Sequence, residues 1–554
     1  MLVTIYPPSR QKLKAINGQF ALQQDTWNDY NYQTLYHLYY NTPGEDATLI
    51  GGVKILRKGQ TQADGIQIKT SFSKLDENFC SVGTSLDYYQ RLVALPSNVR
   101  REIVQALRDV AVHPELQQIY SQEPAWRRSL FRDNSDWKRF LDDAHGLYFN
   151  EFTSLVDVQE PFSFSIGEQS SDIEFDFSTN DSGLLFLLDR RIGPNKRKVQ
   201  LPHRVMVLVG RNGSGKSTLL SRLAHVAFAS PSERLSPHVR RLGAFRPEAI
   251  GFMRIVTVSY SAFDSFTIPG DREDTLSQTA RDIEKGEGRF VYCGLRDVID
   301  EARDDINRAK QVDEQEFKET MLRVEDRRTS TRLKSIDALA DEFASLIGRI
   351  QSTDKKALLS LALEPILQDP SFSDMKEEAL EDLSAAEAKE LFLSWSTGHK
   401  IALHVIASLV TYTVPRSLVL FDEPEMHLHP PLAAALMHSV RLILEDANAV
   451  CVVATHSPVM LQETMARQVR VVNRNGESLH VKQPQMETFG ESIGILTYDT
   501  FGLTASSSDF HQVLDLLVDS LHDITEIDKV FSPGLSSQAR AYVLARLATK
   551  GKLA

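Results

Sequence analysis

Eight consecutive residues constrain this chain more than any others: Gly210-Arg211-Asn212-Gly213-Ser214-Gly215-Lys216-Ser217, followed by Thr218, match G-x-x-x-x-G-K-[ST]. They come directly after Val205-Met206-Val207-Leu208-Val209, a continuous apolar run of the kind that forms a parallel strand buried on both faces. Glycine is needed in such a loop because backbone N–H groups must turn inward around phosphate oxygens, where side chains would obstruct them. A helix opening at Gly215 adds its positive end to the same anion site. The pattern therefore assigns Gly210, Asn212, Gly213, Ser214, Gly215, Lys216, Ser217 and Thr218 to a phosphate cradle. Lys216 is expected to reach the β- and γ-phosphates and Ser217 Oγ to ligate Mg²⁺.

Two further buried-strand runs end in chemistry. Leu418-Val419-Leu420-Phe421 leads into Asp422-Glu423-Pro424-Glu425, and Val450-Cys451-Val452-Val453-Ala454 leads into Thr455-His456-Ser457-Pro458. Parallel sheets present their ligand-binding side chains at the carboxyl ends of strands. Asp422 is expected to hold the metal shell through water. Glu423 is placed to orient or deprotonate an attacking water, and His456 to sense the γ-phosphate. Leu393-Ser394-Trp395-Ser396-Thr397-Gly398-His399-Lys400 precedes the apolar stretch from Ile401, and small hydroxyl residues with glycine at a helix start suggest a second anion site.

Around these motifs the chain divides into an N-terminal α/β region (1–160), the first half of a nucleotide-binding core (161–270), a helical insertion (271–390), the second half of the core (391–481) and a C-terminal helical region (482–554). Ser97 is a plausible N-cap for a helix whose Ile103, Leu107 and Val110 share a face. Phe162, Phe164 and Ile166, then Ile173, Phe175 and Phe177, alternate with polar residues as two half-buried strands do. Residues 297–328 hold 18 charged residues out of 32, too polar for a core helix, so the insertion reads as a solvent-facing arm. The expected class is α/β: a mainly parallel sheet, an antiparallel β subdomain and an inserted helical arm.

Composition narrows the function classes. The net charge of −12 disfavours general coating of nucleic acid or membrane. Three isolated cysteines (Cys80, Cys293, Cys451) provide neither a disulfide framework nor a zinc cluster, which suits a reducing compartment. No run approaches the length of a membrane helix, and Pro7-Pro8 interrupts the N-terminus before a signal-peptide core could form, so a cytoplasmic location without a membrane partner is expected.

The four motifs, in this order, resemble ATP-binding-cassette ATPases of the SMC/RecF/OLD-like branch. The resemblance implies ATP with Mg²⁺ as cofactors and a homodimer or higher homo-oligomer that sandwiches nucleotide head to tail. Ser396, Thr397 and Gly398 of one subunit would then face the phosphate bound by Lys216 of the other, and His429 would lie at the seam. Ser-Thr-Gly-His-Lys replaces the usual Leu-Ser-Gly-Gly-Gln, and no glutamine is evident in Val256–Phe266, the stretch before the insertion. Ser396–Ile401, the Phe421–Pro431 phrase and Cys80–Tyr89 together look like the ATPases of Septu-type antiphage systems (PtuA), including those carried by retrons. That similarity implies an HNH nuclease partner and, in retrons, a reverse transcriptase with its RNA-linked DNA.

Only 98 residues (554 − 456) follow His456, too few for the nuclease domain that OLD-type relatives carry there, so nuclease activity is expected from a partner. A RecF/SMC-like repair ATPase that binds DNA in an ATP-dependent way is the alternative, with a transporter cassette behind it. Residues 190–204 hold six Lys/Arg and no acid, which suits either a solvated hairpin or phosphate contact. An apolar stripe of Phe510, Val513, Leu514, Leu517 and Leu521 suits internal packing or a partner groove.

Overall fold

The computed structural model describes the chain apart from residues 1, 10–12, 14–15, 27–28, 42–46, 63, 65–67, 69, 133–136, 150–159, 167–171, 179–200, 230–233, 235, 248–249, 265, 271–272, 287, 310–330, 354, 376–379, 477, 502–508 and 551–554. Three sheets organise it. In the first, β1 (Val3–Tyr6), β2 (Phe20–Gln24), β3 (Leu35–Tyr40), β4 (Thr48–Arg57), β5 (Ser71–Phe72) and β6 (Phe79–Gly83) run in the order β5-β1-β2-β3-β4-β6. Only β1 and β2 pair in parallel. The Leu86–Ala94, Ser97–Leu107 and Trp137–Phe149 helices share its core, where Tyr88, Tyr89 and Trp126 are fully buried. Ser97 is the first helical residue rather than the cap, which is Pro96. The helix stops at Leu107 because Arg108 turns left-handed at φ 54°, so Val110 reaches the core from beyond its end.

The second sheet is a small antiparallel one: β7 (Phe162–Ser165) lies between β8 (Ile173–Phe175) and β10 (Ala244–Arg246), as the alternation anticipated. Its phenylalanines pack on one another, Phe162 stacked on Phe175 at 5.1 Å between ring centres and Phe164 tilted against Phe245 at 4.9 Å.

The third sheet carries the chemistry. It comprises β9 (Val205–Val209), β11 (Ile255–Ser259), β12 (Phe290–Gly294), β13 (Leu418–Asp422), β14 (Val450–Thr455), β15 (Val469–Asn475) and β16 (Ser478–Lys482), in the order β12-β11-β13-β14-β9-β15-β16. Every neighbouring pair is parallel except β15/β16. Alternate residues of each strand point to opposite faces, and both faces are covered. Val207, Val419, Phe421 and Val453 pack against Phe343, Ile347, Val405 and Leu436 on one side. On the other, Met206, Leu208, Leu420 and Val452 pack against Leu219, Leu223, Phe164 and Phe245. That two-sided burial is why these strands carry no polar alternation.

The helical insertion contains one strand the sequence reading did not separate from it. Phe290-Val291-Tyr292-Cys293-Gly294 is a fully buried fifth strand that pairs along the whole of β11. The Ile336–Ser352 helix is not solvent-facing either: Leu339, Phe343, Leu346, Ile347 and Ile350 sit in the main core. The acidic, Arg-rich stretch made the whole segment look polar, while the apolar faces on either side of it belong to the sheet. Residues 310–330 of that stretch lie outside the described residues.

The Asp509–Leu521, Ile524–Lys529 and Ser537–Thr549 helices close a separate small core around Leu514, Val518, Ile527, Val543 and Leu547. Phe510 and Val513, read from sequence as part of the same stripe, are about half exposed instead. The closed face runs through His511, Leu514 and Val518, with the His511 ring against Tyr542, and Phe510 and Val513 stand to one side of it. No described helix is long and apolar enough to cross a membrane.

Candidate functional site

Register brings the motif-bearing strand ends to one edge. Ser259 is level with Asp422, Asp422 with Ala454, and Thr455 with Val209. The loop after β9, the acidic turn after β13 and the histidine turn after β14 therefore converge. The P-loop leaves β9 at Gly210, where a Cβ would stand 2.2 Å from the Val472 carbonyl oxygen of the neighbouring strand, so only glycine fits. Gly215 has φ +91° and starts the Lys216–Phe228 helix, which glycine alone does without strain. Ser214 Oγ is buried within the loop with no protein partner, as a phosphate-facing donor would be. Asn212 and Gly213 are exposed at its rim, and Thr218 is half-buried in the helix.

Lys216 is 4% exposed. Its ammonium donates to the Gly210 carbonyl at 3.0 Å and the Arg211 carbonyl at 3.3 Å, and lies 3.0 Å from His456 Nε2. Burial lowers its pKa to about 8, although the carboxylates of Asp422, Glu423 and Glu425 pull it back up. Ser217 Oγ donates to Asp422 Oδ1 at 3.0 Å. Burial pushes the Asp422 carboxyl up to about 8 against that hydrogen bond. These two hard oxygen donors suit Mg²⁺, which takes few protein ligands and fills its octahedron with water and phosphate oxygens.

Glu423 adopts φ 50°, in the left-handed region, and its N–H donates to the Ala454 carbonyl at 2.8 Å. For a non-glycine residue that conformation costs on the order of 1–3 kcal/mol and persists only where the surroundings enforce it. It turns the carboxylate toward β14, where Oε1 lies 3.3 Å from His456 Nε2. The hydrogen bond with His456 holds the Glu423 carboxyl below its ordinary range. His456 Nε2 thus faces both Lys216 and Glu423. A neutral imidazole nitrogen can accept from one or donate to the other, but not both at once.

The remaining expected residues stand elsewhere on the same chain. Ser396 caps the Thr397–Tyr412 helix by accepting from the His399 N–H, and a Cβ on Gly398 would come within 3.1 Å of the His427 carbonyl. Among the described residues no hydrogen bond links Ser396, Thr397 or Gly398 to Lys216, Ser217 or Asp422. His429 caps the Pro430–Asp446 helix and faces Asp369 at 3.6 Å. Of the basic 190–204 stretch, residues 190–200 lie outside the described residues.

Two groups were missed by motif reading. Glu425 Oε1 accepts from Thr455 Oγ1 at 2.6 Å and from the His456 N–H at 2.9 Å. Asp264, in the loop after β11, is fully buried beside this edge, taking the Tyr292 hydroxyl at 2.9 Å and Arg296 at 2.5 Å. Glu425 lay inside a recognised phrase. Arg296 had no sequence signal, because its partners come from segments far apart in the chain.

Sheet order and site geometry together define a mainly parallel α/β core with a P-loop at the carboxyl end of β9. Residues 205–461 match the family model described as "AAA domain, putative AbiEii toxin, Type IV TA system". Over 574 aligned residues the chain is 29% identical to Protein ea59 of Escherichia phage lambda, spanning 98% of this chain and 96% of that protein. Among solved structures, the SmcHead bound to the C-winged helix domain of ScpA is similar over 58% of this chain and 96% of that chain, at 11% identity and a TM-score of 0.23. So distant a likeness leaves the fold assignment resting on the sheet and the site.

Proposed function

We propose that this chain binds and hydrolyses Mg²⁺-ATP, dimerises head to tail around it, and uses that switch to control a partner HNH-type nuclease in antiphage defence. The observation that carries the reading is the convergence of Lys216, Ser217, Asp422, Glu423 and His456 within 3.0–3.3 Å contacts at one sheet edge. Lys216 and the loop N–H groups bind and orient the phosphates. Ser217 and Asp422 would hold Mg²⁺, which would supply positive charge beside the phosphoryl oxygens. Glu423 positions the attacking water, and His456 passes between Lys216 and Glu423 according to the phosphate in front of it.

The family description, with its toxin–antitoxin wording, supports a role in conflict between cell and invader. Among the described residues Ser396, Thr397 and Gly398 make no hydrogen bond to Lys216 within one chain, which suits completion of each site by a second copy. In a retron setting a reverse transcriptase and its RNA-linked DNA would join the assembly in the cytoplasm.

A native-locus pull-down of Glu423→Gln, with mass spectrometry and nuclease digestion of the eluate, tests the reading. Co-purification of an HNH protein is expected, and a reverse transcriptase with bound nucleic acid would place it in a retron. A partner-free protein that binds DNA only with ATP would overturn it in favour of a RecF/SMC-like repair ATPase.

A further inference from the structure

Glu425 has no role in the scheme above, yet its carboxylate joins the two turns that deliver the reactive groups. It leaves the turn after β13 and places Oε1 between two donors of the turn after β14, Thr455 Oγ1 at 2.6 Å and the His456 backbone N–H at 2.9 Å. Thr455 Oγ1 in turn accepts the Ser457 N–H at 2.9 Å, and Ser457 Oγ accepts the Val459 N–H at 3.2 Å, capping the Pro458–Gln462 helix. One carboxylate oxygen therefore anchors the whole 455–459 turn. The other, Oε2, is buried without a protein partner. The Thr455 hydroxyl bond is at the short end of the O–H···O range and the His456 N–H bond is of ordinary length.

From this geometry we propose that Glu425 is the positioning residue of His456. By pinning the His456 backbone to the acidic turn, it keeps Nε2 in the narrow window 3.0 Å from Lys216 and 3.3 Å from Glu423. Without it the described ties between the two turns are backbone pairing and the Glu423–His456 side-chain contact itself, and nothing fixes the His456 backbone against the acidic turn. Glu425 is bonded to the turn that carries the imidazole and acts through it. The proposal rests on the ATPase reading for its kinetic consequence but not for its structural one.

The test uses Glu425→Ala, Glu425→Gln and the near-isosteric Thr455→Val in the full-length protein, each compared with His456→Ala. Misplacing a catalytic group by about 1 Å can cost on the order of 100-fold, so Glu425→Ala should lower kcat by about 10- to 100-fold with little change in nucleotide affinity. Glu425→Gln, which keeps the Oε1 acceptor, should recover most of that loss, with Thr455→Val intermediate. Combining Glu425→Ala with His456→Ala should be no slower than the slower single variant, because both act through one imidazole. Independently of turnover, the His456 imidazole ¹⁵N resonances in histidine-labelled protein should shift in Glu425→Ala and Thr455→Val. Unmoved resonances, fully additive kinetic losses, or a Gln variant as impaired as Ala would overturn the positioning role. A wild-type protein that binds no ATP would overturn the ATPase reading alone, with the resonances still deciding the role of Glu425.

Discussion

Ser217 Oγ donates to Asp422 Oδ1 at 3.0 Å, although 205 residues separate the two in sequence. One opens the helix after β9 and the other ends β13, with β14 between those strands in the sheet. The pair proposed to hold the metal is thus brought together by strand order.

Replacing Asp422 with Asn should remove a pH dependence as well as a ligand. Burial raises the Asp422 carboxyl to about 8, so the folded protein holds this proton more tightly than the unfolded chain. That contribution to stability is complete below about pH 4, declines as pH rises from there, and is gone above about 8. Mg²⁺ favours the ionised Asp422 carboxylate, so Mg²⁺-dependent nucleotide binding should release protons between about pH 6 and about 8. Calorimetry in buffers of different ionisation enthalpy would measure the release, and no release in the wild type would contradict it.

Lys216→Ala should weaken ATP binding by about 10- to 100-fold, the worth of a charge-assisted hydrogen bond to phosphate. Lys216→Arg should not restore it, because the buried ammonium fits between two carbonyls and His456 where a guanidinium fork does not. Fluorescent-nucleotide titration separates the two variants.

Arg296 is 1% exposed and bridges Asp264 and Glu301, both buried. Glu301 also accepts the Arg332 N–H at 2.8 Å, so the cluster ties the loop after β11 to the chain on both sides of residues 310–330. Arg296→Met leaves two buried carboxylates uncompensated and should cost about 3–5 kcal/mol. Replacing all three residues with apolar ones of matched volume should restore much of it. Thermal denaturation of both variants checks the contrast.

Phe343→Ala distinguishes an exposed arm from a core helix. Its ring stacks on Phe392 at 5.2 Å and packs against Trp395, so truncation should destabilise the nucleotide-binding core by about 3–5 kcal/mol. An exposed helix would lose under about 0.5 kcal/mol. Chemical denaturation followed by nucleotide protection would show which.

Local pattern alone made part of this molecule legible. The P-loop requires glycine at Gly210 and Gly215, β9, β13 and β14 are too apolar to be anything but strands buried on both faces, and Asp422 and His456 follow them directly. β12 was not legible: it is as short and apolar as β9, but it leads into no recognisable motif and lies among segments with helical patterning, so its run alone does not separate it from helix. Nor was the Arg296 cluster, whose three charges look like ordinary surface residues until the sheet encloses them.

The residues proposed to bind phosphate and metal, and the strand type that carries them, were determined by the sequence through short-range rules of backbone sterics and burial. Which of them meet was decided only by tertiary structure. Strand order brought Ser217 to Asp422, and strand register set His456 between Lys216 and Glu423. Glu425 gained its two donors because β13 and β14 end level with each other. Each of those contacts is made by chain pairing over long separations, where sequence spacing carries no distance.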